Sequence, residues 1–329
     1  MVRASVLVAL MTLGLVGCGA DSGATSEPVT TPTILRLVAT PSVGSVDSGA
    51  RVEAVVAYPE RVTGALWQAC VLLVDDAADP ATCPLPLVQL YGDTLFRARV
   101  DSWTLRSVGD LGVPLFEALS QVASTDAAAA PPAHRLDACA LQVVAAWDAC
   151  VASSGGWPDS CVYEADDRLR ACVQQGGTDV RVHYTATLDD GATLKASRRL
   201  TFLKTGSPPI GNRNPVLFNV EVDGVNVPDG ETVQVPIGST VLLQAIPFAE
   251  SGETYTTAAG TTATELLQFA WVRTGGDLDV DLTPSDDPFN ALFVPETALG
   301  VPLTLWVFFE DDRGGIDWAR VAIDPVPTP

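Results

Sequence analysis

Short runs of alternating apolar and polar residues, each closed by Gly, Pro, Asn or Asp, recur along most of the chain. A period of two predicts β-strands. Residues 34–38 and 51–56 form the first such runs, leading into Ala57-Tyr58-Pro59 and then Trp67. The same order returns in residues 216–220 and 240–244, Ala245-Ile246-Pro247 and Trp271. The ends correspond too: residues 180–188 turn at Asp189-Asp190-Gly191 and return to Phe202, and residues 303–309 turn through residues 310–315 and return to Ile323. This duplication predicts a mainly β chain of two β-sandwiches, residues 33–205 and 215–325, joined by a Gly/Pro-rich linker at 206–214.

One stretch breaks the strand pattern. Residues 105–177 interrupt the first copy before its last two strands and carry Cys139, Cys150, Cys161 and Cys172, with ten residues between each and the next. Eleven positions make about three helical turns, so Cys139 and Cys150 share a face, as do Cys161 and Cys172. The breaker-rich segment 151–159 divides the two helices, with Asp159 or Ser160 placed to cap the second. In an antiparallel helical hairpin one register then satisfies two bridges, Cys139–Cys172 and Cys150–Cys161. The layout is similar to the twin cysteine hairpins of eukaryotes, although the spacing differs and only the geometry is carried over. Zinc is the competing use of four cysteines, but the short spacing of zinc sites is absent. Cys70 and Cys83 form the remaining pair, closing a loop for which chain entropy suggests roughly 3 kcal/mol.

The chain starts Met1-Val2-Arg3, followed by an apolar run to Val16 that is too short to span a bilayer. Leu15-Val16-Gly17-Cys18 resembles the lipobox of bacterial lipoproteins. The competing reading is an ordinary signal peptide with an incidental Cys. The resemblance implies a signal at 1–17, acylation of Cys18, a flexible tether at 18–32 and mooring to a membrane through the acyl chains. Gly19 in place of Asp implies, by the same resemblance, an outer-membrane lipoprotein facing the periplasm or the outside. The second copy resembles bacterial immunoglobulin-like and PKD-type surface domains in its Trp271, its Pro295-Glu296 and its terminal Asp-Asp-Arg-Gly-Gly hairpin. It lacks the inter-sheet cysteines of antibody domains and the Trp-Asp-Phe-Gly-Asp run of PKD domains.

Composition narrows the function classes. Forty acidic residues against nineteen basic ones give a formal charge of −21, and Lys195 and Lys204 are the only lysines, which opposes nucleic acid as a partner. With His134 and His183 the only histidines and no nucleophile elbow, zinc-protease helix or phosphate loop, no catalytic residue is assigned. A carboxylate-pair glycosidase is the residual enzymatic alternative. No cofactor is assigned. Glu310, Asp311 and Asp312, and the cluster Asp277, Asp279, Asp281, Asp286 and Asp287, are weak calcium candidates because they offer hard oxygen ligands.

Parity on the last hairpin locates a candidate surface. Leu303, Leu305, Val307 and Phe309 point inward with Ala319, Val321 and Ile323, which leaves Trp306, Phe308, Trp318 and Arg320 outside. Phe308 should face Trp318 across the hairpin, and Trp306 should face Arg320. This patch suits stacking on a sugar or docking a protein; the competing reading is burial against the first copy. The matching face of the first copy carries a basic stripe, Arg181, His183, Lys195 and Arg199, suited to an acidic surface such as the second sandwich of a neighbouring molecule or, more simply, to solvent. The expectation is an envelope-anchored, non-catalytic binding, adhesion or scaffold module with a protein or glycan partner. The alternative is a carbohydrate-binding or hydrolytic accessory that uses the aromatic patch.

Overall fold

The computed structural model describes residues 27–72, 74–75, 83, 87–90, 92–100, 113–128, 135–136, 138–155, 158–204, 212–256 and 260–328. The signal at 1–17, Cys18, most of the tether and His134 lie outside the described residues, as does the side chain of Cys139.

Alternating small apolar residues build the first sandwich. Its strands are β1 (Thr33–Thr40), β2 (Val43–Ser45), β3 (Ala50–Ala57), β4 (Val62–Leu72), the short β5 (Val74–Asp75), β6 (Val88–Gln89), β7 (Gly92–Thr94) and β8 (Arg97–Val100). Three helices follow, α1 (Val113–Ala128), α2 (Ala138–Ser153) and α3 (Val162–Gly176), with β9 (Arg135–Leu136) pairing back to β5. The long hairpin β10 (Thr178–Leu188) and β11 (Thr193–Leu203) then completes the domain. Its two sheets run β1-β3-β8-β7 and β2-β11-β10-β4-β6.

The second sandwich repeats that wiring. It comprises β12 (Leu217–Val222), β13 (Val225–Val227), β14 (Thr232–Pro236), β15 (Ser239–Pro247), the hairpin β16 (Thr254–Thr256) and β17 (Thr262–Thr264), β18 (Leu267–Arg273), β19 (Asp277–Leu278), β20 (Leu282–Pro284), β21 (Phe289–Val294), β22 (Leu303–Asp311) and β23 (Ile316–Val326). The sheets run β13-β12-β15-β21-β19 and β14-β23-β22-β18-β20. In both copies a short early strand, β2 or β14, pairs parallel with the last strand. The tryptophan of each copy sits on the equivalent strand, Trp67 on β4 and Trp271 on β18, and both are buried. Each finds a partner for its indole N–H: Trp67 Nε1 donates to Leu95 O at 3.3 Å and Trp271 Nε1 to Thr283 Oγ1 at 2.9 Å.

Among its described residues the insertion holds three α-helices where the sequence pattern implied two. Helix α1 buries Leu115, Phe116 and Leu119 on one face, and Phe116 stacks on Trp147 of α2 at 5.1 Å. Its signal was present as Leu115, Phe116 and Leu119 at helical spacing just after Pro114. The buried residues of all three helices belong to the same cluster as the core of the first sandwich. Neither Asp159 nor Ser160 is the cap of α3; both lie in a 3-10 turn, Pro158–Cys161, and Cys161 occupies the N-cap position. Cys150 is bonded to Cys161 with Cα atoms 5.7 Å apart, Cys70 is bonded to Cys83 at 6.0 Å, and Cys172 is also disulfide-bonded.

Cys150–Cys161 closes a short loop between α2 and α3, so the chain-entropy contribution is about 2–3 kcal/mol. Replacing both cysteines by Ser should therefore lower the denaturant midpoint followed by helical circular dichroism.

Candidate binding surface

The terminal hairpin has the register that parity requires. Phe308 lies opposite Trp318 and Trp306 opposite Arg320, while Leu303, Leu305, Val307, Phe309, Ala319, Val321 and Ile323 are buried in the second core. The other side of the hairpin is not a free aromatic patch, which corrects the expectation. Trp306 and Phe308 are 3% and 0% exposed, Trp318 is half-buried, and only Arg320 faces solvent. Together with Ala270, Val272 and Ile316, Trp306 and Phe308 pack on Val38, Val55 and Ala57 of the first sandwich, with Trp318, Leu35, Tyr58 and Val29 around them. Burial removes these rings from any sugar or partner. The physical reason is that two sheets each carry an apolar outer half, and joining them removes both from water.

Polar groups stitch the rim of this contact. Arg36 Nε donates to Glu310 Oε1 at 2.8 Å, its guanidinium lies 5.1 Å over the Phe308 ring, and its Nη1 donates to Leu35 O. Arg198 on β11 donates to Leu37 O in its own domain and to Gly314 O in the other. Burial pushes its guanidinium down to about 10, against the neighbouring carboxylates Asp311 and Glu310 that favour its charge. The linker takes part as well. Asn214 Nδ2 donates to Ala39 O and Ile316 O, Ser42 Oγ donates to Asn212 O, and Asn212 Nδ2 donates to both oxygens of Asp311 at 3.0 and 2.9 Å. The tether is also held at its end, where Val29 N donates to Arg273 O and Tyr58 Oη donates to Val29 O.

These bonds account for the calcium candidates. Glu310 is turned to Arg36; Asp311 is buried and accepts the N–H groups of Arg313 and Gly315 as well as Asn212; Asp312 accepts from Leu266 N. Gly315 is obligatory here, since a Cβ would fall 2.1 Å from Asp311 Oδ2. Asp281 lies 3.6 Å from Arg273, whereas Asp277, Asp279, Asp286 and Asp287 are exposed. Among the described residues no group of three or more His, Cys, Asp or Glu side chains is placed to hold a metal ion. One carboxylate pair does form, where Glu265 and Glu253 share Arg313 Nη1 at 2.9 and 3.8 Å, with Tyr255 stacked beneath the guanidinium. Burial raises the Glu265 carboxyl, but the arginine between the two side chains makes this a clamp on β16 and β17.

The basic stripe is only partly a surface. Arg181 is buried, His183 is half-buried, Lys195 is exposed, and exposed Arg199 is paired with Asp179. Burial and the nearby Arg181 lower the basicity of His183.

Sequence reasoning missed a different face. On the outer side of the sheet β13-β12-β15-β21-β19, Leu242, Phe289 and Phe293 alternate with the buried Leu243, Asn290, Leu292 and Val294 and stay 51%, 45% and 38% exposed. Cross-strand rows place Glu221 beside Gln244 and Phe289, and Asp277 beside Phe293. The alternation was readable, but nothing in the sequence distinguished a sheet left open from one that is covered.

No protein-family model matches the chain, and no curated protein matches it. Solved structures with some likeness include a nucleoside hydrolase-related protein from Saccharophagus degradans, at 18% identity over 35% of this chain and 26% of that one, with a TM-score of 0.24. They also include a bacterial ice-binding adhesin at 10% identity over 91% of this chain and 67% of that one, with a TM-score of 0.21. The D0-D1 domain of intimin aligns at 8% identity over 89% of this chain and all of that one, with a TM-score of 0.20. Scores this low carry no argument about function. Among the described residues no helix is long and apolar enough to cross a membrane.

Two outcomes follow from this geometry. Arg36 and Glu310 are 8% and 12% exposed in their side chains, so Glu310→Gln, which strands the buried guanidinium, should cost about 3–5 kcal/mol in denaturant unfolding. Replacing both partners, Arg36→Met with Glu310→Leu, should cost less than that single change. For His183, the folded state holds the proton less tightly than the unfolded state, so its contribution to stability falls as pH drops through the ordinary histidine range near 6.5. His183→Gln should therefore flatten the fall in melting temperature between neutral and mildly acidic pH.

Proposed function

We propose that the chain is a lipid-anchored envelope protein that works by binding, as an adhesion or scaffold module without catalysis. The observation that carries this reading is the open apolar sheet face at Leu242, Phe289 and Phe293. Soluble sandwiches rarely leave contiguous apolar surface on a sheet unless something docks there. The bonded pairs Cys70–Cys83 and Cys150–Cys161 support an oxidising compartment, and the lipobox-like run ending at Cys18 supports mooring by acyl chains at the outer membrane. The two sandwiches joined by a buried seam suit a spacer that holds its binding face at a set angle from the tether.

In fractionated cells the full chain should pellet with membranes, and Cys18→Ser should shift it to the soluble exported fraction. Replacing Leu242, Phe289 and Phe293 by Ser should weaken binding of the full chain to envelope fragments by at least about tenfold, because each buried apolar side chain contributes roughly 1.5–3 kcal/mol. Unchanged binding by this variant would remove the face from the proposal.

A further inference from the structure

We propose that the open face of the second sandwich takes the first sandwich of a second copy of the chain, so that molecules join head to tail. This rests on the reading of Leu242, Phe289 and Phe293 as a binding surface and names its occupant. The seam inside the chain supplies the chemistry. There an arginine on the outer face of β1, Arg36, stacks over a phenylalanine of the second sandwich and pairs with a neighbouring glutamate.

The same sheet of the first sandwich carries further arginines beyond the part that is covered. Outward positions on β3 run Arg51, Glu53, Val55 and Ala57, and the second sandwich covers Val55 and Ala57. Arg51 lies directly opposite Arg99 of β8, and Glu53 lies opposite Arg97, with which it pairs at 2.8 Å. Arg51 and Arg99 are both exposed, and among the described residues neither forms an ion pair. Like charges directly opposite each other destabilise a sheet. In a chain with twice as many acidic as basic residues, a like-charged pair with no carboxylate partner among the described residues points to a counter-charge supplied from outside.

The second sandwich is that counter-charge. Residues 215–325 hold eighteen carboxylates against three basic residues, Arg273, Arg313 and Arg320. Arg273 and Arg313 are already committed to acidic partners of their own domain. On its open face Phe293 lies opposite Asp277 and Phe289 lies across Gln244 from Glu221, so rings and carboxylates share one face, as Phe308 and Glu310 do along β22 at the seam. The two faces differ, so their contact is heterologous, and a joined pair keeps one of each free to extend a chain of copies.

Sedimentation velocity of the full chain in detergent, at low and high salt, tests this with two variants, Arg51→Glu/Arg99→Glu and Phe289→Ser/Phe293→Ser. The wild type should grow in mass with concentration at low salt and revert towards monomer at high salt. Each variant alone should associate at least about tenfold more weakly, as expected for loss of a charged or an apolar half of a contact. An equimolar mixture of the two should form a one-to-one dimer and stop there, since only one intact pair of faces remains. Glu221→Lys/Asp277→Lys, which leaves the rings in place, should behave like the phenylalanine variant. A monomeric wild type, or a mixture that stays monomeric, overturns the proposal. If the arginine variant associates like the wild type while the phenylalanine variant still loses envelope fragments, the second copy fails as occupant and the binding face stands. If the phenylalanine variant also keeps its envelope binding, both fall.

Discussion

Which outer faces of the two sandwiches are covered and which stay open depends on one contact, the burial of Phe308 and Trp306 against Val38, Val55 and Ala57. Two sheets meet face to face, as the layers of a single sandwich do, but here each sheet already belongs to a complete sandwich. An apolar seam alone would tolerate sliding. The directional groups around it, Arg36 on Glu310, Arg198 reaching both domains, and Asn212 and Asn214 in the linker, set one arrangement. Such groups contribute modestly to net stability, yet any other docking angle would leave them buried and unsatisfied.

The duplicated wiring explains how one chain obtains unlike surfaces from like parts. Both copies have the same sheet order and the same early strand running parallel to the last. Outward positions bury nothing in the domain core, so they were free to diverge: arginines gather on β3 and β8, aromatic rings on β22 and β23, and the phenylalanines of β21 share rows with carboxylates of β12 and β19. The insertion follows the same economy. Its helices extend the core of the first sandwich, so the long connection between β8 and β10 adds buried surface in place of an open loop.

Buried and half-buried carboxylates of the second sandwich hold its turns and the junction, Asp311 among the calcium candidates and Glu265 and Glu253 outside them. Asp311 organises the β22–β23 turn and grips the linker, which is why Gly315 must lack a side chain beside it. Glu265 and Glu253 clamp a hairpin through Arg313. In each case the carboxylate is occupied by N–H donors or an arginine, and a cation would have to displace bonds that hold the fold.

Strand periodicity, the repeated order of runs, the tryptophan of each copy and the register of the last hairpin were all legible in the residues, because each depends on neighbours within one element or on one pair of strands. Helix α1 was legible as well, in Leu115, Phe116 and Leu119 just after Pro114. The resemblance of residues 15–18 to a lipobox is also a matter of sequence alone, since a segment of that kind is read unfolded. Which outward face would be covered was not legible. Trp306 and Phe293 obey the same alternation, and only the meeting of two distant sheets buries the first and leaves the second in water. The fate of Glu310 was settled in the same way, by Arg36 arriving from 274 residues earlier in the chain. Local pattern decides what a side chain faces within its own sheet; what stands opposite that sheet is a property of the assembled molecule.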